Sequence, residues 1–242
     1  NALMLSLEVT GIDGVTSGAA TVSALRAGVA HLLDTLDERF TFYLHRMMRP
    51  AETGIAPIHG ASFAGDIDKA WSRELDRRNL QDSVLILTVV RRQVAPLAVP
   101  LFGKAAARVW GQDTARRLEE LREVASILET GLGIKTRRMK ISDGNLVGFY
   151  ASLLTGELRD HPRSPYCLLA EDAAGASVQF GKGLVEIEEG AAKPKLAAVL
   201  YVKSYATATW PGMLDALGAA QDTIIAHSYT PIERGSIAER VK

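Results

Sequence analysis

Apolar positions alternate with polar ones almost from the start of the chain. Leu3, Leu5, Leu7 and Val9 recur at every second place, the period of a strand with one buried face. Gly11 and Gly14 predict a turn. Val22, Leu25, Val29, Leu32, Leu36 and Phe40 then recur at three- and four-residue steps, one stripe of a long helix that Thr16 or Ser17 would cap. Phe40 to Met48 returns to alternation and predicts a second strand, ended by Pro50. Residues 51–65 carry Gly54, Pro57, Gly60 and Gly65 and predict a loop, after which Asp66 would cap a short helix with Ile67, Trp71 and Leu75 on one face. From Val84 to Val90 every residue except Thr88 is aliphatic, so this strand is expected inside its sheet with both faces covered.

Leu118, Leu121, Val124, Leu128 and Leu132 mark a second long helix ended by Gly131 or Gly133, and Ile134 to Ile141 predicts another strand. The order is strand, helix, strand, twice over, with one short helix inserted. It predicts an α+β fold with a ferredoxin-like split β-α-β core, in which two helices cover one face of an antiparallel sheet. A third helix is expected at Asn145 to Leu154, with Leu146, Phe149, Tyr150 and Leu153 inward and Gly156 closing it. The following loop, with Pro162 and Pro165, divides a ferredoxin-like subdomain at 1–160 from a smaller β-rich lobe at 161–242. In that lobe Val178 to Ile187, Leu196 to Val202 and Thr223 to Tyr229 predict strands, and Pro211 opens a helix through Met213, Leu214 and Leu217.

Composition narrows the possible functions. The 242 residues are 47% hydrophobic, with 28 basic against 28 acidic side chains, enough for a real core and without the net positive charge that wrapping a polyanion requires. A nucleic-acid contact would need a local patch. No run approaches the about 18–20 apolar residues that span a bilayer. The single cysteine, Cys167, excludes a disulfide within the chain and a Cys-x-x-Cys zinc cluster. The chain opens on Asn1 with no signal run, and Ser236 to Lys242 reads as a helix start without a stop signal, so a fragment with protein beyond its C-terminus is expected.

Catalytic motifs fail one by one. A phosphate-cradling loop needs Gly-x-x-x-x-Gly-Lys-Ser/Thr, but Lys104 is followed by Ala105 and Lys182 by Gly183, so both Gly-Lys pairs are expected to be turns. Gly131-Leu132-Gly133 does not extend to a dinucleotide fingerprint. His31, His45, His59, His161 and His227 lack the helical pairing that would present two ligands to one metal. Ser62 in the loop Gly60 to Gly65 misses the nucleophile-elbow pattern, because Ala64 stands where its second glycine belongs. Glu119, Glu120 and Glu123 interleave with Arg116, Arg117 and Arg122 as on a solvated helix face, and Glu186, Glu188 and Glu189 border a turn. No catalytic, cofactor-binding or metal-binding residue is expected. In a self-contained α/β enzyme, His45, Asp66 or His227 would have to converge by folding from distant parts of the chain.

Two features carry alternative readings. Lys135, Arg137, Arg138 and Lys140 put four cations into one strand, either a contact for phosphate, nucleic acid or an acidic partner, or charge that protects a sheet edge. The long connection Gln93 to Gly111 carries Val94, Leu97, Val99, Leu101, Phe102, Val109 and Trp110, and either docks a partner or folds back onto its own core.

Five segments together resemble the N-terminal domain of the VirB4/TrbE/CagE ATPases of type IV secretion and conjugation. They are LMLSLEVTGIDG (Leu3 to Gly14), FTFYLHRMMR (Phe40 to Arg49), WSRELDRRNLQDSVLILTVVRR (Trp71 to Arg92), NLVGFYASLLTG (Asn145 to Gly156) and VKSYATATWPGMLDALGAAQDTIIAHSYTP (Val202 to Pro231). The resemblance implies a docking and assembly domain ahead of a C-terminal motor that binds ATP and Mg and energises pilus biogenesis and substrate transfer. No cofactor is implied for the present chain. It further implies a cytoplasmic location peripheral to the bacterial inner membrane, with VirB3-like membrane subunits and further VirB4 copies as partners and only indirect membrane contact.

Overall fold

The structure is a computed structural model, and it describes residues 2–12, 16–51, 62–78, 80–93, 104–131, 133–161, 169–188, 193–204, 207–208, 213 and 223–232. In chain order the elements are β1 (Ala2–Thr10), α1 (Ala19–Thr35), β2 (Phe40–Pro50), α2 (Phe63–Arg77), β3 (Gln81–Arg92), α3 (Lys104–Gly131), β4 (Lys135–Arg138), α4 (Asn145–Thr155), α5 (Leu169–Ala173), β5 (Ser177–Phe180), β6 (Val185–Glu188), β7 (Lys195–Ala197) and β8 (Ile224–Tyr229).

The larger sheet runs β4-β1-β3-β2-β8. Its first four strands have the order expected of the ferredoxin-like arrangement, with β1 antiparallel to both β3 and β4. The strand β8 is added beyond β2. The register places Leu7 opposite Leu87 and Leu5 opposite Val89, so the odd-numbered residues of β1 and β3 share one face. On that face Leu7, Val9, Phe42 and Val89 of the sheet form one core with Leu32 of α1 and Leu121, Val124 and Leu128 of α3. The opposite face is closed as well. Ser6 and Thr88 share a buried 2.8 Å hydrogen bond there, and Ile86, like Val89 on the first face, is fully buried. The interior position expected for this strand is therefore observed.

Several local expectations change. The N-cap of α1 is Gly18, with no side-chain cap, rather than Thr16 or Ser17. Lys104–Gly111 is the start of α3 and not part of a long loop, which moves Val109 and Trp110 onto a helix. The strand expected at Val178 to Ile187 is a hairpin, β5 and β6, whose turn holds Gly183 at φ +85° while Gly181 N–H donates to Leu184 C=O at 2.9 Å. Of the expected strand Leu196 to Val202 only Leu196 and Ala197 join a ladder, as part of β7, and β5-β6-β7 make a separate three-stranded sheet.

Contacts divide the chain into two units, Asn1–His45 with Leu85–Met139 and Ala226–Lys242, and Arg46–Val84 with Lys140–Ile225. The second unit takes residues from both sides of position 161, and the segments of both units are interleaved along the chain. The first holds the core just described. Within the second, α4 lies against the end of β2, where the Ser152 hydroxyl donates to Met47 Sδ at 3.6 Å, and α5 packs on α4. The hairpin lobe is tied to the end of the same helix by Lys195, which donates to Thr155 C=O at 3.2 Å and pairs with Glu157.

Candidate docking surface

The helix α2 is built in the ordinary way. Ser62 caps it, its hydroxyl accepting the Gly65 N–H at 3.2 Å, with Asp66 in the first turn and Arg77 in the last to suit the helix dipole. This gives Ser62 a structural role and moves the cap from Asp66. The orientation of the helix is the unexpected part. Gly65 is buried and Ala64, Asp68, Ser72 and Leu75 are partly covered, while Phe63, Ile67 and Trp71 at i, i+4 and i+8 are 82%, 53% and 53% exposed. The small and polar face is turned inward, and a ridge of three large apolar side chains stands in solvent. Of the three residues expected on one face, Ile67 and Trp71 are exposed and Leu75 is half-buried. Phe63 escaped the sequence reading because the helix was started at Asp66, although a serine cap directly before an i, i+4, i+8 apolar series was present to mark it.

A second apolar surface lies on the lobe. Phe180, Leu196, Val199, Leu200 and Tyr201 are all strongly exposed, Leu200 at 88%.

The remaining candidates fall as follows. Val94, Leu97, Val99, Leu101 and Phe102 lie outside the described residues, and Val109 and Trp110 are exposed on α3. Lys135, Arg137 and Arg138 form β4, an edge strand of the larger sheet. Arg137 is bonded to Glu8 on the neighbouring strand, its Nε donating at 3.0 Å, and Arg138 makes a two-pronged pair with Glu129 of α3 at 2.5 and 2.9 Å. That pair holds the Arg138 guanidinium charged more firmly still. Lys135 and Lys140 are exposed, and the Lys140 N–H donates to Asn145 Oδ1 at 2.7 Å. The strand is shorter than the expected Ile134 to Ile141 and leaves Lys140 outside it, and two of the four cations, Arg137 and Arg138, are engaged within the molecule.

His227 and Leu44 both line a cavity on one face of the sheet, and His45, next to Leu44 in its strand, is on the other face. Asp66 is exposed on α2 and pairs with Lys69. Among the described residues no group of three or more His, Cys, Asp or Glu could hold a metal ion, and no helix there is long and apolar enough to cross a membrane.

Burial lowers the His45 pKa below its ordinary 6.5, so the unfolded chain takes up the proton more readily than the folded one. Stability from this site is present at neutral pH and is lost as pH falls through about 6.5. Urea unfolding at pH 7.5, 6.5 and 5.5 should show a falling midpoint. In His45→Gln that fall should be smaller, and an equal fall in both proteins would remove His45 as its source. Asp37 acts at lower pH. Its side-chain hydrogen bond to Arg39 holds the carboxyl below 3.8, so its contribution is lost only under more acid conditions.

No curated protein matches the chain. Of the five segments quoted above, the first three fall within a matched span and the segments at 145–156 and 202–231 lie beyond it: residues 1–97 match the family model described as type IV secretion system ATPase VirB4/TrbE, N-terminal domain.

Proposed function

From the premise that residues 1–97 carry the N-terminal domain of the VirB4/TrbE type IV secretion ATPases, we propose that this chain is a docking and assembly domain. It anchors a C-terminal motor, where ATP and Mg are bound and hydrolysed, to membrane-associated secretion subunits of VirB3 type and to neighbouring ATPase copies on the cytoplasmic side of the inner membrane. The observation that carries the reading is the α2 ridge. Phe63, Ile67 and Trp71 lie within the matched span, stand clear of their own unit, and offer two aromatic anchors on a rigid helix.

The nucleic-acid reading has less support, because Arg137 and Arg138 are already bound to Glu8 and Glu129. Among the described residues no constellation supports the enzyme reading.

The test is binding of the chain to the purified VirB3-like subunit of its own system in detergent, and to a second copy of the ATPase. Truncating one hot-spot aromatic typically costs 2 kcal/mol or more, so Trp71→Ala should weaken binding by about thirtyfold and Phe63→Ser/Ile67→Ser/Trp71→Ser should abolish it. The melting temperature should stay unchanged, since the side chains are exposed. Undiminished binding by the triple variant to both partners would refute the ridge as the docking surface.

A further inference from the structure

We propose that the small sheet β5-β6-β7 of the second unit seats on an anionic lipid surface through one of its ends. The register fixes which residues share that end. Phe180 pairs with Val185 and Val185 with Ala197, so both ladders stop on the same row. Past the row lie the turn at 181–184 and the chain leaving β7. Val199, Leu200 and Tyr201 follow Ala197 closely enough that chain geometry keeps them within about 14 Å of it. The sheet is fastened from behind that row. Lys195, level with Ile187, donates from its ammonium group to the Thr155 carbonyl at the end of α4 and pairs with Glu157.

Charge separates along the sheet. Phe180 and Leu184 flank the turn and are exposed, as are Val199, Leu200 and Tyr201. The charged residues among 180–185 and 197–204 are Lys182, at the tip of the turn, and Lys203, with no carboxylate among them. Glu186 and Glu188, the acidic residues of the three strands, lie behind the row. An apolar end that carries lysines and no acid suits a lipid interface. Rings and aliphatic chains enter the boundary between headgroups and acyl chains, lysine stems lie along the apolar surface, and their ammonium groups reach the anionic headgroups. A protein partner is the poorer fit, because lysine is depleted and arginine enriched at protein interfaces, and both cations here are lysines. The contact lies on the bilayer, in keeping with the described helices, none of which is long and apolar enough to cross one. It does not rest on the docking role of α2, and no secretion subunit enters its test.

The experiment is co-sedimentation of the whole chain with vesicles of phosphatidylcholine alone and of phosphatidylcholine mixed with phosphatidylglycerol, at low and high salt. Binding to the mixed vesicles that weakens with salt, and is at least about tenfold tighter than to phosphatidylcholine alone, is expected. Lys182→Gln/Lys203→Gln should weaken binding to the mixed vesicles by about twentyfold. Phe180→Ser/Leu200→Ser should weaken it by at least about tenfold. Melting should be unchanged in both, since the replaced side chains are exposed. If the apolar double variant does not fold, Leu200→Ser alone carries the same test. The absence of binding to the mixed vesicles, or binding unchanged by either variant, overturns the contact. Equal binding to the two kinds of vesicle overturns the anionic assignment. Sedimentation without lipid is the control, and self-association there that Phe180→Ser/Leu200→Ser abolishes would give the surface to a second copy of the chain and overturn the lipid assignment.

Discussion

Gly148→Ala is expected to lower the melting temperature by about 4 °C or more, against the usual sense of a glycine-to-alanine change inside a helix. Alanine in a helix interior is favoured over glycine by about 1 kcal/mol. At this position the neighbour decides. The backbone of residues 159–161 returns along α4, held by the His161 N–H donating to Gly144 C=O at 3.0 Å. A Cβ on residue 148 would fall 1.8 Å from the Arg159 carbonyl oxygen and 2.9 Å from its carbon, both backbone atoms that no side-chain rotation can move away. Either the return segment lifts off or α4 shifts, and α4 carries the fully buried Val147, Phe149 and Ser152. Overpacking costs about 1–3 kcal/mol where side chains can adjust, so a clash with fixed backbone should cost at least about 3 kcal/mol. For a chain of this size each kcal/mol moves the melting temperature by about 2–4 °C. A thermal melt showing no change or a gain would mean that residues 159–161 do not pack on α4 as described.

Arg91→Met is the second large effect expected, a loss of about 2–4 kcal/mol in urea unfolding, toward the lower part of the range for breaking a buried ion pair. Arg91 is 2% exposed at the end of β3. Its Nε donates to Glu120 Oε2 at 2.6 Å, another of its nitrogens reaches the Arg92 carbonyl, and its guanidinium lies 5.4 Å from the centre of the Phe40 ring. Methionine keeps the apolar stem and removes the charge, which leaves Glu120 facing Arg39 at 3.7 Å and Arg116 at 4.0 Å as its remaining cations. Those two are why the loss falls short of that for a fully isolated carboxylate. The control is Arg91→Met/Glu120→Gln. If the pair is coupled, the double variant should be more stable than the sum of the single losses predicts, and simple additivity would show the two side chains to be independent.

What could be read from the sequence follows from how local each determinant is. The alternation in β1, the aliphatic run in β3 and the period-3.6 stripes of α1 and α3 predicted their own elements, and right-handed crossover rules left few ways to join them, so the order β4-β1-β3-β2 was foreseeable. The added strand β8 was seen as a strand, but its partner β2 lies some hundred and eighty places away, and the alternation of either one does not name the other. The early start of α3 was missed because Pro96, Pro100 and Gly103 read as loop and Ala105, Ala106 and Ala107, good helix formers, carry no amphipathic period. The burial of Arg91 depends on Glu120, and the engagement of Arg137 on Glu8, contacts of 29 and 129 positions that charge patterning within a window cannot show. The exposed ridge of α2 was visible as Ile67 and Trp71 on one face. Which way that face points was not, because small residues on the other side allow α2 to pack through Gly65.

The joining of β8 to the sheet bears on how the protein is made. Thr41 of β2 bonds Thr230, just past β8, at 3.1 Å, a contact 189 positions apart. At about 5–20 residues per second of synthesis, the outer edge of β2 waits on the order of 10–40 seconds for the segment that closes it. During that interval a strand carrying Phe40, Phe42 and Leu44 offers unpaired N–H and C=O groups to any other nascent chain. A polyribosome, where such chains are crowded together, is therefore the place where this domain is most exposed to mispairing, and early chaperone cover of residues 40–50 would matter more than cover of any later segment.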